Sequence, residues 1–395
     1  MLKKKVLIIH YNMELGGVET SLLGLLDQFD YDKFDVDLFL LSHEGVLLSL
    51  INKKVNILPE IKKYKALTET IVDNFKQKEF GIAIARTFAK FVSKTTKSNL
   101  KFSHNYKQYF HKLSLPFLPM IDGNYDLAIS FNDPHFIIGK KVNAKVKMSW
   151  FHTDASRIDF CDNIEKEMWS LSDYVVNVSE DCKHAFDEKH FYLSSKSIVI
   201  ENILSKEFIY SQSCKKCVDK EILCNDRVKL LSIGRFTNAK NFDNIPEIAS
   251  IIKSKGIDFK WYIIGYGGEE NLIRTKIAEF HIEENVIILG KKDNPYPYIS
   301  ACDIYIQPSR FEGKCVAVRE AQILNKPVII TNYATANSQL TDGYDGIVVP
   351  MDNAGCAQGI VDVINNKELQ NKLIENTKTV DYTNSSELQK IYCLI

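Results

Sequence analysis

The sequence has no excess of charge, no long apolar run, no complete cysteine framework and no dinucleotide-binding glycine signature. Each absence removes a class of protein. Lys+Arg and Asp+Glu are equal at 50 each over 395 residues, so the charge balance gives no case for nucleic acid as a partner. No stretch approaches the roughly 20 apolar residues of a transmembrane helix. The N-terminal "MLKKKVLIIHYN" has basic residues before an apolar run, but that run is only Val6 to Ile9. It is too short for a secretory h-region, and no small-residue cleavage site follows. It reads as a first buried strand, and the chain is expected to be cytoplasmic. Nine cysteines are an odd number, expected to be reduced without a secretory signal. Cys214 and Cys217 have metal-ligand spacing and Cys224 lies nearby. A structural zinc site needs four ligands, usually from a second such pair, and none follows. The pair is read as coincidence in a linker. "YIIGYGGEE" places Gly265, Gly267 and Gly268 after an apolar run, which is not G-x-G-x-x-G, so a dehydrogenase is disfavoured.

What is present is alternation. Composition is that of an ordinary globular protein, 45% hydrophobic and 25% charged, and the length allows two domains with their own cores. Strand candidates are Val6–His10, Val36–Leu41, Asp126–Ser130, Val146–Phe151, Tyr174–Val178 and Ser197–Ile200. A second series is Lys229–Gly234, Lys260–Ile264, Val286–Leu289, Ile304–Gln307, Pro327–Thr331 and Gly346–Val349. Helical patterns over Glu19–Phe29, Phe242–Lys255, Glu269–Phe280 and Ala317–Leu324 separate several of them. Runs such as "VLIIH" and "KPVIIT" are apolar throughout, as in strands buried on both faces. Strand–helix alternation predicts parallel sheets with right-handed crossovers. The series breaks over a polar stretch without clear period. We therefore expect residues 1–205 as one α/β domain, 206–226 as a linker, 227–380 as a second α/β domain, and 381–395 as a C-terminal helix packing back on the first. Two doubly wound Rossmann-like domains facing a central cleft place ligands at the carboxyl ends of the strands.

Candidate chemistry gathers at those ends. Glu312 and Glu320 stand eight apart, one on the loop after Ile304–Gln307 and one on the following helix. A carboxylate accepts two hydroxyl hydrogen bonds, which suits a sugar or ribose diol; the alternative is two solvated helix-end glutamates. "LLSIGRFTNAKNFD" puts Arg235 and Lys240 on the loop after the first strand of the second domain. Two cations at one βα loop suit a diphosphate, Arg as a fork and Lys as a point charge. Gly16 and Gly17 follow the first strand and precede a helix, giving either a phosphate-friendly helix start or a plain tight turn. "SWFHTD" puts His152 at a strand end, and "ILGKKDNPYPY" adds a loop with Lys291 on the same edge as Gly265.

Taken together, "RFEGKCVAVREA", "GRFTNAKN", "IIGYGGEE", "GGVE" and "DGYDGIVVP" resemble the family-4 retaining glycosyltransferases of the GT-B fold, the group 1 glycosyl transferases of bacterial capsule and exopolysaccharide assembly. The resemblance runs over almost the whole chain and is strongest from about Leu230 to Pro350. It implies a nucleotide-diphosphate sugar as donor and a glycan or polyprenyl-diphosphate-linked acceptor. By this resemblance Arg235 and Lys240 hold the donor diphosphate, Glu320 binds the ribose and Glu312 contacts the transferred sugar. The backbone of Gly313, Lys314, Cys315 and Val316 lines the sugar site. Gly16, Gly17 and Gly265 approach the donor, residues around Gly290 to Asn294, Lys291 among them, flank the base, and His152 lies near sugar and acceptor. Family members commonly carry Phe-Gly where Lys314-Cys315 stands, so Lys314 is expected to add a cation beside the donor sugar. Fixed cations can stabilise a leaving diphosphate without a metal, so no essential metal or other cofactor is expected. Asp35-Val36-Asp37 begins an early strand and reads as surface charge. Other readings are an epimerase or hydrolase of sugar nucleotides, and a non-catalytic binder.

One further absence is local. No acidic residue occurs from Phe80 to Ile121. Arg86, Lys90, Lys94, Lys97 and Lys101 recur every three or four positions, interleaved with Phe88, Phe91, Phe102, Tyr106, Tyr109 and Phe110. A helix aligns such cations as one stripe. That stripe suits either an anionic membrane surface, with the protein peripheral at the inner face, or a solvated helix over a local core.

Overall fold

The apolar runs form two all-parallel sheets in a computed structural model, which describes residues 3–14, 16–95, 105–158, 161–215, 218, 221–222 and 227–395. The chain divides into unit 1, Met1–Ile203 with Ser385–Ile395, and unit 2, Leu204–Asn384. Unit 1 carries β1 (Lys4–His10), β2 (Phe34–Leu40), β3 (Asn56–Ile57), β4 (Asn124–Ser130), β5 (Asn143–Phe151), β6 (Tyr174–Asn177) and β7 (Ser197–Val199). Their order is β3-β2-β1-β4-β5-β6-β7. Unit 2 carries β8 (Val228–Ile233), β9 (Phe259–Ile264), β10 (Val286–Gly290), β11 (Ile304–Gln307), β12 (Val328–Thr331) and β13 (Ile347–Val349), in the order β10-β9-β8-β11-β12-β13. Both are Rossmann-like: the winding direction reverses between β1 and β4 in one sheet and between β8 and β11 in the other. Ligands of such sheets sit outside the carboxyl ends at that reversal.

Every strand expected from an apolar run forms. Only β3 was unforeseen, two exposed residues with no apolar signal, paired with Asp37 and Leu38. The continuous runs are explained by burial: all six residues of β9 and all four of β11 and β12 are buried. Alternate side chains serve opposite faces. Leu231, Tyr262, Ile264 and Tyr305 join one core of unit 2, while Leu230, Trp261, Ile263 and Ile304 join the other.

In unit 1 the helices that matter below are α1 (Gly17–Gln28), α2 (Ile71–Lys76), α3 (Phe80–Thr95) and α4 (Asn105–Ser114). The basic stripe expected along α3 is not one surface. Arg86 turns inward, donating to the Leu67 carbonyl at 2.7 Å with its guanidinium 4.1 Å from the Phe110 ring centre. Phe110 is buried, and Tyr106 and Tyr109 pack on the same core. The reason is that both faces of α3 are apolar, so spacing alone does not say which face turns inward. The side chain of Lys94, and Lys97, Lys101 and Phe102, lie outside the described residues.

In unit 2 the helices are α5 (Lys206–Ser213), α6 (Ile245–Ser254), α7 (Glu270–Glu279), α8 (Tyr296–Ala301) and α9 (Val316–Ile323). The expected linker begins as α5. The Ser205 hydroxyl caps it by accepting the Phe208 N–H at 3.1 Å, and Leu204, Ile209, Val218 and Ile222 enter the core of unit 2. Few apolar residues anchor this segment, which is why its periodicity was hidden. Cys214 is exposed and free; Cys217 and Cys224 lie outside the described residues. The C-terminal residues pack on unit 1. Tyr392 stacks on Phe34 with ring centres 4.6 Å apart and accepts the Asp30 N–H at 2.8 Å.

Candidate active site

The reversal point of the unit 2 sheet is a set of stitched loops. After β8 the chain runs through Gly234 and Arg235 into a short turn, Asn238–Lys240, which ends on Asn241 in the left-handed region at φ 60°. Asparagine tolerates that conformation. Its side-chain amide donates to the Pro308 carbonyl on the loop after β11, 2.8 Å away. Arg310 completes the join. Its backbone N–H donates to Ala239 at 2.8 Å, and its guanidinium grips Asp243 with two bonds of 2.8 and 2.9 Å. A planar fork on a carboxylate fixes geometry as well as charge.

That join brings Lys240 and Glu312 together. The Lys240 ammonium donates to Glu312 Oε1 at 2.6 Å, and the Ser309 hydroxyl donates to the same oxygen at 2.6 Å. Gln307 donates to Ser309 at 2.9 Å, and Tyr305 donates to Gln307 at 2.8 Å. Thr335 fixes the Glu312 carbonyl at 3.0 Å. Burial disfavours the ammonium, but neighbouring Cys315 and Glu312 outweigh it and hold the Lys240 pKa above its ordinary value. The Cys315 thiol is itself pushed up to about 12 by burial and by Glu312. It is therefore uncharged near neutrality, and Glu312 is the anion that keeps Lys240 protonated. Arg235 is exposed, close enough to Lys240 to repel it, and makes no ion pair among the described residues.

Glu320 lies on α9, only 5% exposed. Burial raises its pKa to about 7, offset in part by the Tyr296 hydroxyl, which donates to Oε1 at 2.9 Å. The two glutamates thus have separate partners. They share a neighbourhood: both raise the pKa values of the buried Cys315 thiol and the Tyr305 hydroxyl.

Other expected residues sit differently from their sequence reading. Lys314 is buried, and its ammonium donates to the Ser338 carbonyl at 2.6 Å, so that carbonyl holds the charge expected beside a sugar. The Cys315 N–H donates to Gln339 Oε1 at 2.7 Å, and Gln339 donates back to the Cys315 carbonyl at 3.2 Å. Gly313 and Val316 flank this clamp. Gly265 has φ 152°, and a Cβ there would lie 1.9 Å from the Gly234 carbonyl oxygen. Its glycine is required by the close pass of two loops of the protein itself. The Lys291 ammonium stands 5.4 Å from the Tyr266 ring centre.

In unit 1, Gly16 is the N-cap of α1, and Glu19, three residues on, folds back over it. A Cβ on Gly16 would meet Glu19 Oε2 at 2.3 Å. Glu19 therefore packs close over the N-cap residue. Glu19 Oε1 also lies 3.2 Å from His10 Nε2. Gly16 and Gly17, read as either a phosphate-friendly helix start or a plain tight turn, thus open α1 with the Glu19 carboxylate close by. His152 follows β5, with Nε2 donating to the Phe131 carbonyl at 2.7 Å. Burial pushes its pKa down to about 3. It is a neutral imidazole near pH 7, not an acid. The residues missed in the sequence are Arg310, Asp243, Ser309, Gln307, Gln339, His10 and Glu19. Arg310, Asp243, His10 and Glu19 stand inside quoted stretches; Ser309, Gln307 and Gln339 carried no local signal. Among the described residues no three His, Cys, Asp or Glu side chains converge as metal ligands. No helix among them is long and apolar enough to cross a membrane.

The two sheets and their stitched loops define a GT-B fold. A crystal structure of HepE from Anabaena, solved with UDP and glucose, superposes with a TM-score of 0.69 over 99% of this chain and all of that one, at 15% identity. Residues 218–380 match the family model of glycosyl transferases group 1. An N-acetylgalactosaminyltransferase of Campylobacter jejuni, named for a diphospho-undecaprenol-linked acceptor, is 28% identical over 38% of this chain and 41% of its own. The capsular polysaccharide biosynthesis glycosyltransferase CapM of Staphylococcus aureus is 26% identical over 54% of this chain and 58% of its own. The chain spans about half the length of the curated relatives it matches.

Proposed function

We propose that this chain is a family-4 glycosyltransferase. In this reading it moves a sugar, with retention of configuration, from a nucleoside-diphosphate sugar to a glycan or polyprenyl-diphosphate-linked acceptor. The setting is cytoplasmic assembly of a cell-surface polysaccharide. The observation that carries this reading is the Lys240–Glu312 pair beside the exposed Arg235, which makes no ion pair among the described residues, at the β8/β11 reversal. The names of the relatives support the reaction class and a lipid-linked acceptor.

The chemistry follows from the charges. The bond between the sugar's anomeric carbon and the donor diphosphate breaks, and its electron pair goes to the diphosphate. Arg235 and Lys240 face that growing charge as fixed cations. Glu312 keeps Lys240 protonated and aimed while the site is empty. When phosphate takes over the ammonium, Glu312 becomes an acceptor for sugar hydroxyls. Ionised Glu320 accepts two ribose hydroxyls; protonated, it loses one acceptor and gains a competing donor. The acceptor hydroxyl bonds to the anomeric carbon, and its proton passes to the departing diphosphate. With two cations in place, no metal is needed for this charge.

The test incubates candidate nucleotide sugars with polyprenyl-diphosphate-linked glycans and follows the products by mass spectrometry, with and without EDTA. Acceptor-dependent transfer, retained in EDTA and lost in Lys240→Ala, supports the reading. Product from donor and water alone shows a hydrolase or epimerase. Donor binding without turnover shows a binding protein.

A further inference from the structure

We propose that the exposed apolar face of α2 and α3 in unit 1 docks on an anionic lipid bilayer, with its aromatic rings entering the headgroup region and its lysines meeting lipid phosphates. The inference rests on the lipid-linked-acceptor reading for its purpose; its geometry is independent of the donor site.

The face is continuous. Phe80, Ile84, Phe88 and Phe91 are 51%, 61%, 53% and 67% exposed. Their spacings of four, four and three place them in one strip along a helix. Val72 and Phe75 on α2 are also exposed, and the Phe75 ring centre lies 5.9 Å from that of Phe80. Phe117, itself exposed, lies against Gly81, where a Cβ would come within 2.4 Å of its ring. The opposite side of α3, with Ile82, Ala83, Ala85 and Ala89, is buried in unit 1. So α3 is apolar on two sides, and among the described residues the protein covers only one. A contiguous strip of this size on a water-soluble surface marks an interaction site.

Charge decides the occupant. Lys76, Lys78 and Lys90 are exposed beside the strip, and no ion pair reaches them among the described residues. The acids nearest in sequence are engaged: Asp73 accepts from the Thr70 hydroxyl at 2.5 Å, and Glu79 lies 4.0 Å from Lys62. From Phe80 to Ile121 no acid interrupts the field. A second copy of this face would set lysine against lysine. An anionic bilayer supplies both an apolar layer for the rings and a negative surface for the ammonium groups.

The experiment cosediments the full chain with vesicles of phosphatidylcholine, with and without phosphatidylglycerol. Binding is expected on the anionic vesicles. The double variant Phe88→Glu/Phe91→Glu is expected to weaken it about tenfold or more, because apolar insertion and charge act together. Lys76→Glu/Lys90→Glu is expected to weaken it at low salt. These side chains are exposed, so melting temperatures should hold, and transfer to a water-soluble acceptor should be unchanged. As a direct probe, Phe88→Trp should shift its emission to the blue with vesicles, since Trp150, Trp169 and Trp261 are buried. A wild-type chain that stays in the supernatant overturns the proposal, as does a double variant that sediments like wild type. A dimer that the double variant splits, with no vesicle binding, assigns the face to a second copy and also overturns it. Vesicle binding without any glycosyl transfer would leave this surface standing and remove the transferase reading instead.

Discussion

The carboxyl edges of the two sheets share a winding order and differ in how they handle charge. In unit 2 the β8/β11 reversal holds Lys240 on Glu312 and Arg310 on Asp243, with Arg235 left exposed. In unit 1 the β1/β4 reversal is surrounded by buried imidazoles. His135 shares a 2.8 Å hydrogen bond with Ser130, and burial lowers the pKa values of both His135 and His152. At the start of α1, Glu19 lies close over Gly16 and 3.2 Å from His10. One edge is therefore a preorganised receiver of negative charge. The other carries His135 and His152 as neutral imidazoles, with the carboxylates of Asp133 and Glu19 beside its histidines. The same backbone plan serves both because the chemistry sits on the loops and the plan sits in the strands.

This contrast can be broken from either side. The largest effect is expected for Lys240→Ala, a loss of about 100- to 1,000-fold in turnover, as for removal of one fixed donor from a developing oxyanion. Single-turnover rates read it. Gly265→Ala should cost about 3 kcal/mol of stability, because the new methyl meets a backbone oxygen that cannot move aside; urea unfolding reads this. Arg310→Lys keeps the charge and loses the fork. It should cost about 2 kcal/mol and slow turnover by loosening the loop that carries Lys240.

Glu320→Gln sharpens the contrast through pH. In the native chain this carboxyl has a pKa near 7, above its ordinary 4.5. The folded state thus binds more protons than the unfolded state between those values, and stability falls as pH rises through that window. The variant should flatten that fall in thermal melts. Donor affinity should instead rise as pH climbs past about 7 in the native chain, through ionisation of Glu320, and lose that rise in Glu320→Gln. The smallest effect is expected for His152→Gln: less than about tenfold in turnover with no change in the neutral pH profile, since an imidazole already neutral gives no general acid to lose. A large effect there would return charge to the unit 1 edge.

The strands were legible because burial on both faces leaves no room for polar residues, and a six-residue run such as Phe259–Ile264 announces itself. Arg235, Lys240 and Glu312 were legible because they follow such runs directly. What joins them was not. Arg310 and Asp243 are 67 residues apart, and no local pattern links a guanidinium to a carboxylate at that distance. Lys314 was visible as a charge, but its direction depends on Ser338. Glu19 was hidden because its approach to Gly16 and His10 depends on how the turn after β1 folds, which no local pattern gives. Arg86 failed for a different reason. Helical spacing says which residues align; only packing says which way they point.

The return of Ser385–Ile395 to unit 1 makes that unit discontinuous in the chain, with the whole of Leu204–Asn384 inserted in it. On a ribosome the consequence is one of timing. At roughly 5–20 residues per second, Tyr392 follows Ile203 by on the order of 10–40 s. Until it emerges, Phe34 lacks its stacking partner, and for about the last 2–9 s of that wait the second sheet, which ends at Val349, is already complete. Nascent-chain proteolysis should therefore find unit 2 protected before unit 1 is finished, the reverse of their order in the message.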